Sequence, residues 1–304
     1  MAGPQQDRLR AGVIGLGVMG AAMARRLLAA GHPLLVSAAS NGPVTELCGR
    51  GAVALGTDGA IARESDVCIV NVPDTSDLER VVLGTGGILE GAHASLVVVA
   101  MGTHRPSAMR PIADALAGRG AGFLDAPVSG GDIGAREGTL SIMVGGDAEV
   151  VERARPVLQV LGRTITHIGP VGAGQVAKAC NQLVVGANIE AVAEAFALAR
   201  AAGVDPERVL AAIAAGLGGS VVLDRYADRM LHERFEPGVR ARLHAKDARI
   251  VMGLAAEAGL DLPVASVVAE AFGELERRDG DLDHSALVTL LGRGLPEDDE
   301  GRLD

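Results

Sequence analysis

Two hydrophobic patterns divide the chain. Up to about residue 167, short apolar runs alternate with stretches of helical period. The runs at 10–15 (RAGVIG), 33–37 (PLLVS), 66–72 (DVCIVNV), 95–100 (SLVVVA), 121–125, 139–144 and 163–167 read as strands. Several are apolar at successive positions, which predicts burial on both faces. The segments 18–30, 58–65 and 105–119 read as helices, the first ended by Gly31. Strands joined by crossover helices predict a parallel sheet covered on both sides.

From residue 172 to about 293 the strand signal is nearly gone. Ala-rich helical stretches follow at 172–202, 206–215, 219–232, 242–258, 263–278 and 285–292. Asp205-Pro206 supplies an N-cap followed by Pro at the first helical position. Gly203 and Gly259 each sit just past a helix. The stretch 172–202 is more than twice the average helix length and is expected to run from the domain junction through the second domain. The expected organisation is a loose leader at 1–10, an α/β domain at 11–169, an all-helical domain at 170–294 and an acidic, disordered tail at 295–304.

Composition narrows the function. The 304 residues carry a formal net charge of −10, and four Phe, one Tyr and no Trp. A basic nucleic-acid footprint and base-stacking platforms are therefore not expected. Cys48, Cys68 and Cys180 form no CxxC pair, which fits a reducing, cytoplasmic setting and predicts neither a disulfide framework nor a structural zinc. Gly, Arg or Asp interrupts the best apolar stretches, so no run is expected to cross a bilayer. Of 28 basic residues only Lys178 and Lys246 are lysines. Lysine, unlike arginine, can be tuned toward neutrality and exchange a proton near pH 7.

The motif Gly15-Leu16-Gly17-Val18-Met19-Gly20 follows a predicted strand and opens a predicted helix, the context of a dinucleotide site. About 20 residues on, an NAD enzyme usually presents Asp or Glu and an NADP enzyme Arg. Here the chain reads Ser37-Ala38-Ala39-Ser40-Asn41. Ser37 can hydrogen-bond a ribose, but nothing there neutralises a 2′-phosphate, which favours NAD over NADP. Lys178, flanked by Val176, Ala177, Ala179 and Cys180, is expected to be partly buried near the start of its helix. Desolvation and a helix N-terminus both lower an ammonium pKa, toward the range of a general acid/base. Asn181, three residues on, shares its helix face. Ser129-Gly130-Gly131 follows a strand end, where two glycines let successive N–H groups converge on an anion. Asp125 is expected to fix that loop and Cys180 to pack. His244 is expected to be structural or solvated; His104, His167 and His284 lack metal-ligand spacing, and no metal is expected.

Taken in order, Gly15–Gly20, Asp125-Ala126-Pro127-Val128-Ser129-Gly130-Gly131, Gly172-Ala173-Gly174-Gln175 with Lys178 and Asn181, and Lys246-Asp247 resemble the β-hydroxyacid dehydrogenases over about residues 11–293. That family includes 3-hydroxyisobutyrate dehydrogenase, tartronate semialdehyde reductase and 4-hydroxybutyrate dehydrogenase. Val72-Pro73-Asp74-Thr75 and Asp283-His284-Ser285 look closest to the tartronate semialdehyde reductase branch. The resemblance implies a Rossmann domain and an all-α domain joined by a long helix, with the active site in the cleft between them. It implies Lys178 as catalytic acid/base and Asn181 as its substrate-binding partner. Ser129, Gly130 and Gly131 would hold the carboxylate of a small-molecule substrate. Val72, Pro73, Thr103 and Lys246 would border the NAD or NADP, with Lys246 also facing substrate. Lys246 with Asp247 can equally be a surface ion pair. Apolar faces on the second domain's helices imply a homodimer or homotetramer.

The chain departs from the family pattern at three places. Ala38-Ala39-Ser40 replaces a common Asn-Arg-Thr, Gly102-Thr103 replaces Ser-Thr or Ser-Ser, and Val239 replaces a usual Phe. Two other readings share the motifs. Imine reductases have a similar fold but generally place Asp or Tyr where Lys178 stands. A non-catalytic dinucleotide-binding scaffold would tend to lose that lysine.

Overall fold

The computed structural model describes residues 8–37 and 41–291. The expected leader (in its first seven residues), the cofactor determinant at 38–40 and the acidic tail lie outside them. The chain forms two compact units, Met1–Lys178 and Ala179–Asp304.

In the first unit the elements run β1 (Ala11–Ile14), α1 (Val18–Ala29), β2 (Leu34–Ser37), α2 (Asn41–Gly49), β3 (Val53–Ala54), α3 (Asp58–Glu64), β4 (Val67–Val70), α4 (Thr75–Leu83), α5 (Ile88–Gly91) and β5 (Val97–Ala100). There follow α6 (Met109–Ala117), β6 (Gly122–Asp125), β7 (Val128–Ser129), α7 (Gly131–Glu137), β8 (Leu140–Gly146), α8 (Ala148–Leu161), β9 (Gly162–Gly169) and the start of α9 (Ala173–Ala201). Six strands lie in the order β3-β2-β1-β4-β5-β6, all parallel. This is the doubly wound dinucleotide-binding topology, with its switch point between β1 and β4.

Every residue of β1, β4, β5 and β6 is buried, and their side chains alternate between two cores. Val13, Ile69, Val99 and Leu124 pack with Met23, Leu27 and Leu158 on one face. Ile14, Val70, Val98 and Phe123 pack with Ile61, Leu78 and Ile112 on the other. This is the both-sides burial that the unbroken apolar runs predict.

The sheet is not parallel throughout. β8 runs antiparallel to β6, pairing Leu124 with Gly146 and Asp125 with Gly145. β7 joins the same edge of β8 after a break at Ala126-Pro127, and β9 pairs parallel to β8. No full crossover helix separates β6 from β8, so β8 returns alongside in the opposite direction.

The second unit holds the rest of α9, then α10 (Pro206–Ala214), α11 (Val221–Leu231), α12 (Ala241–Glu257), α13 (Pro263–Asp279) and a 3₁₀ segment at His284–Leu290. Ile189, Phe196, Leu223, Met230, Phe272 and Leu287 form its core. A Cβ on Gly186 would lie 2.6 Å from Val268 and 2.8 Å from His244, so glycine there lets α9 approach α12 and α13 closely.

By length and apolar composition α9 could cross a bilayer, contrary to the sequence expectation. Its glycines, read as interruptions, do not lower hydropathy enough to disqualify it. Its polar side chains Gln175, Lys178, Gln182 and Glu190 are buried within protein, as in a core helix.

Candidate active site

The expected cofactor residues of the first unit gather at the carboxyl ends of four adjacent parallel strands. Gly15–Gly20 follow β1, Ser37 ends β2, Val72 and Pro73 follow β4, and Thr103 follows β5. Val72 is buried, Ser37 and Thr103 are half-buried and Pro73 is exposed. The three glycines of the loop have three different reasons. Gly15 has φ +89°, and a Cβ there would lie 2.4 Å from the Asn71 carbonyl oxygen. A Cβ on Gly20 would lie 1.9 Å from the Gly15 carbonyl oxygen, so glycine lets α1 seat against the loop. A Cβ on Gly17 would meet no protein atom within 4 Å. No packing among the described residues requires a bare backbone at Gly17, which leaves room there for the close approach of a ligand. Gly17 caps α1, whose first turn carries no acidic residue and whose first N–H groups have no intrahelical acceptor. Leu16 is buried, Met19 half-buried and Val18 exposed beside this opening. The cradle fits a dinucleotide pyrophosphate.

Ser37 is not alone at the end of β2. The Asp58 carboxylate, in the first turn of α3, lies beside the Ser37 side chain. Burial pushes the Asp58 carboxyl up; Ser37 and the charge of Arg80 pull it down, with a net rise. No local pattern announces this pairing, which links residues 21 positions apart on different elements.

Ser129 ends β7, opposite Ser141 of β8. Gly130 and Gly131 follow with φ +128° and +65°, two consecutive left-handed positions that favour glycine. All three residues are half-buried.

Lys178 is buried, retaining 7% of its exposure, and the start of its helix is locked from below. Asp125, wholly buried at the end of β6, accepts hydrogen bonds from the N–H groups of Gly172 at 2.7 Å and Gln175 at 2.8 Å. Asp125 thus fixes the helix onset, whereas the sequence pointed to the loop after it. Burial pushes its carboxyl up, against the pull of these N–H groups and that of Gly174. The fully buried Gln175 side chain donates to the Gly102 carbonyl at 2.9 Å and accepts from the His104 N–H at 2.9 Å. It clamps the residues on either side of Thr103 to the helix that carries Lys178.

Asn181 and Lys246 belong to the second unit, where Gln182, which the sequence reading passed over, and Asp247 connect them. The Asn181 amide donates to Gln182 Oε1 at 2.8 Å, and Gln182 Nε2 donates to Asp247 Oδ2 at 2.7 Å. Lys246 Nζ lies 3.2 Å from Asp247 Oδ1, with side-chain exposures of 18% and 9%. The ion pair is therefore not a surface one. Cys180, expected to pack, is exposed. His244 is wholly buried, stacked on Phe272 with ring centroids 4.1 Å apart and Nδ1 3.3 Å from His284 Nδ1.

Topology and glycine cradle define a dinucleotide-binding protein with a second, helical unit. Residues 10–169 match the NAD-binding domain of 6-phosphogluconate dehydrogenase, and residues 172–291 the NAD-binding family of NADP-dependent 3-hydroxyisobutyrate dehydrogenase. The chain is 42% identical over 285 residues to 2-hydroxy-3-oxopropionate reductase of Escherichia coli, covering 93% of this chain and 97% of that protein. It superposes on Mycobacterium tuberculosis 3-hydroxyisobutyrate dehydrogenase, solved with L-serine, with a TM-score of 0.85 at 30% identity, over 93% of this chain and 99% of the other. An imine reductase from Myxococcus stipitatus reaches a TM-score of 0.64 at 20% identity, over 93% of this chain and 99% of the other, a likeness of fold alone. The chain belongs to the β-hydroxyacid dehydrogenase family and is an NAD(P)-dependent hydroxyacid dehydrogenase.

Proposed function

We propose that the chain interconverts a small β-hydroxy acid and its semialdehyde, with 2-hydroxy-3-oxopropionate the first substrate to test. 3-Hydroxyisobutyrate and 4-hydroxybutyrate, with their semialdehydes, are the nearest alternatives. The observation that carries this reading is Lys178, one of two lysines in the chain, buried on a helix whose first turn is anchored by Asp125 and Gln175. NAD or NADP, held at the Gly15–Gly20 cradle, would supply or accept the hydride. In reduction, Lys178 Nζ donates a proton to the carbonyl oxygen; in oxidation it takes the hydroxyl proton back. Asn181 hydrogen-bonds the substrate from the next turn of the same helix. Ser129, Gly130 and Gly131 bind its carboxylate, and Thr103 and Lys246 border the nicotinamide.

Two further readings accompany this one. The helical unit exposes Val184, Leu198, Val221 and Val264, which supports a homodimer or homotetramer. The net charge of −10 argues against nucleic acid as a partner, and the free cysteines fit a cytoplasmic, soluble enzyme.

Following nicotinamide absorbance with the three semialdehydes and their hydroxy acids tests the assignment, with Lys178→Ala beside the wild type and cyclic imines as a control. Turnover of a semialdehyde that the variant loses while still binding dinucleotide is the expected result. Full turnover by Lys178→Ala, or turnover of imines alone, overturns it.

A further inference from the structure

The end of β2 is where an NAD site usually carries an acidic residue and an NADP site an arginine. This chain has neither at 38–40. The fold nonetheless brings a carboxylate there from elsewhere. The first turn of α3 packs at the carboxyl end of β2, held there in part by the Leu55 N–H bond to the Val36 carbonyl at 3.2 Å. Asp58 opens that turn, half-buried, near enough to Ser37, the last residue of β2, for the hydroxyl to pull its carboxyl down. Resting on the dinucleotide reading above, we infer that Asp58 is the cofactor-specificity residue of this enzyme: with Ser37 it accepts the adenosine ribose hydroxyls of NAD and repels the 2′-phosphate of NADP.

Nearby charges support the sign. Arg80 is the cation that acts on Asp58, but it is itself paired with Asp77 at 2.8 Å. Asp58, Asp77 and Arg80 together leave one negative charge beside the ribose position. A 2′-phosphate would add up to two more. Like charges at a few ångströms in a partly desolvated site correspond to about tenfold or more in affinity. Asp58 is not reached by counting 20 residues from the glycine motif, because it is delivered by the following helix and not by the strand end.

The test is direct binding, independent of turnover. Dissociation constants for NADH and NADPH are measured by calorimetry for the wild type and for Asp58→Asn. Adenosine 2′,5′-bisphosphate and AMP serve as probes of the ribose end alone, and thermal melts check the fold. The wild type is expected to bind NADH about tenfold or more tighter than NADPH. Asp58→Asn keeps a group that can bond Ser37 and is expected to bring the ratio toward one, mainly by tightening NADPH and the bisphosphate. Equal or tighter NADPH binding by the wild type, or an unchanged ratio in a folded variant, overturns the assignment of Asp58. Binding of neither dinucleotide by the wild type overturns the dinucleotide reading itself, and the inference with it.

Discussion

Gly17 and Gly20 separate what the nucleotide loop needs for folding from what it needs for binding. At Gly17 the backbone has φ −68° and ψ −168°, which alanine adopts without strain, and the new methyl meets no protein atom within 4 Å. Alanine is a poorer N-cap than glycine, but it also narrows the unfolded ensemble by about 0.4–1 kcal/mol. The two effects nearly cancel, so Gly17→Ala is expected to change stability by no more than about 0.5 kcal/mol. Its methyl nevertheless projects into the space where the pyrophosphate approaches, and dinucleotide affinity should fall at least about tenfold. At Gly20 the methyl would sit 1.9 Å from the Gly15 carbonyl oxygen and 3.1 Å from its carbon, both backbone atoms that cannot rotate away. α1 must lift from the loop, a distortion costing about 1–3 kcal/mol, with affinity lost as well. The chain has no Trp, so urea unfolding is best followed by far-UV circular dichroism, alongside calorimetric titration with NADH. A Gly17→Ala protein that keeps its NADH affinity, or one destabilised as much as Gly20→Ala, would refute the reasoning.

Three other outcomes follow from the geometry. Gln175→Ala removes the clamp on Gly102 and His104 and should lower kcat about ten- to a hundredfold through misplacement of Thr103 and Lys178; unchanged kcat in steady-state assays counts against the clamp. Burial and the neighbouring Glu194 push the Glu190 carboxyl up from 4.5 to about 7, so ionising it opposes folding increasingly as pH rises through that range. The shift corresponds to at most about 3.4 kcal/mol and, after solvent screening, to about 1–2 kcal/mol; Glu190→Gln should gain that much at pH 8 relative to pH 5, and equal urea-midpoint differences at both pH values would contradict it. Gln182→Leu removes the bridge between Asn181 and Asp247 and should raise substrate KM about tenfold, while dinucleotide affinity measured by calorimetry stays within about twofold.

The parts of the fold visible in the sequence are those specified locally. Helical period and a terminal glycine placed 18–30 as a helix, observed at Val18–Ala29, and the long stretch 172–202, observed at Ala173–Ala201. Unbroken apolar runs gave the buried parallel strands. β3 and β7 escaped notice because two residues carry no readable period. The reversal of β8 escaped because an apolar run does not record the direction in which it pairs. In the site, the glycine motif, Ser129–Gly131 and Lys178 were legible as short patterns with a chemical reason. The roles of Asp58, Gln175 and Gln182 were not, because each acts through a partner distant in the chain.

Asp125 shows why such residues escape a one-dimensional reading. Its neighbours in sequence form the Pro127–Gly131 loop, and the natural inference is that it stabilises that loop. Three-dimensionally its two oxygens face the chain 47 and 50 positions later, at Gly172 and Gln175. A carboxylate stripped of water is costly unless its oxygens are bonded, and backbone N–H groups at a helix start need acceptors. Each meets the other's need, so the pairing is favourable where either group alone would not be. Such a bond fixes position as well as energy. The strand leading to the Pro127–Gly131 loop and the helix carrying Lys178 are held on the two sides of one side chain. A glutamate one methylene longer would have to displace one of those two elements, which is why the identity of residue 125 constrains the proposed site without Asp125 having to touch substrate.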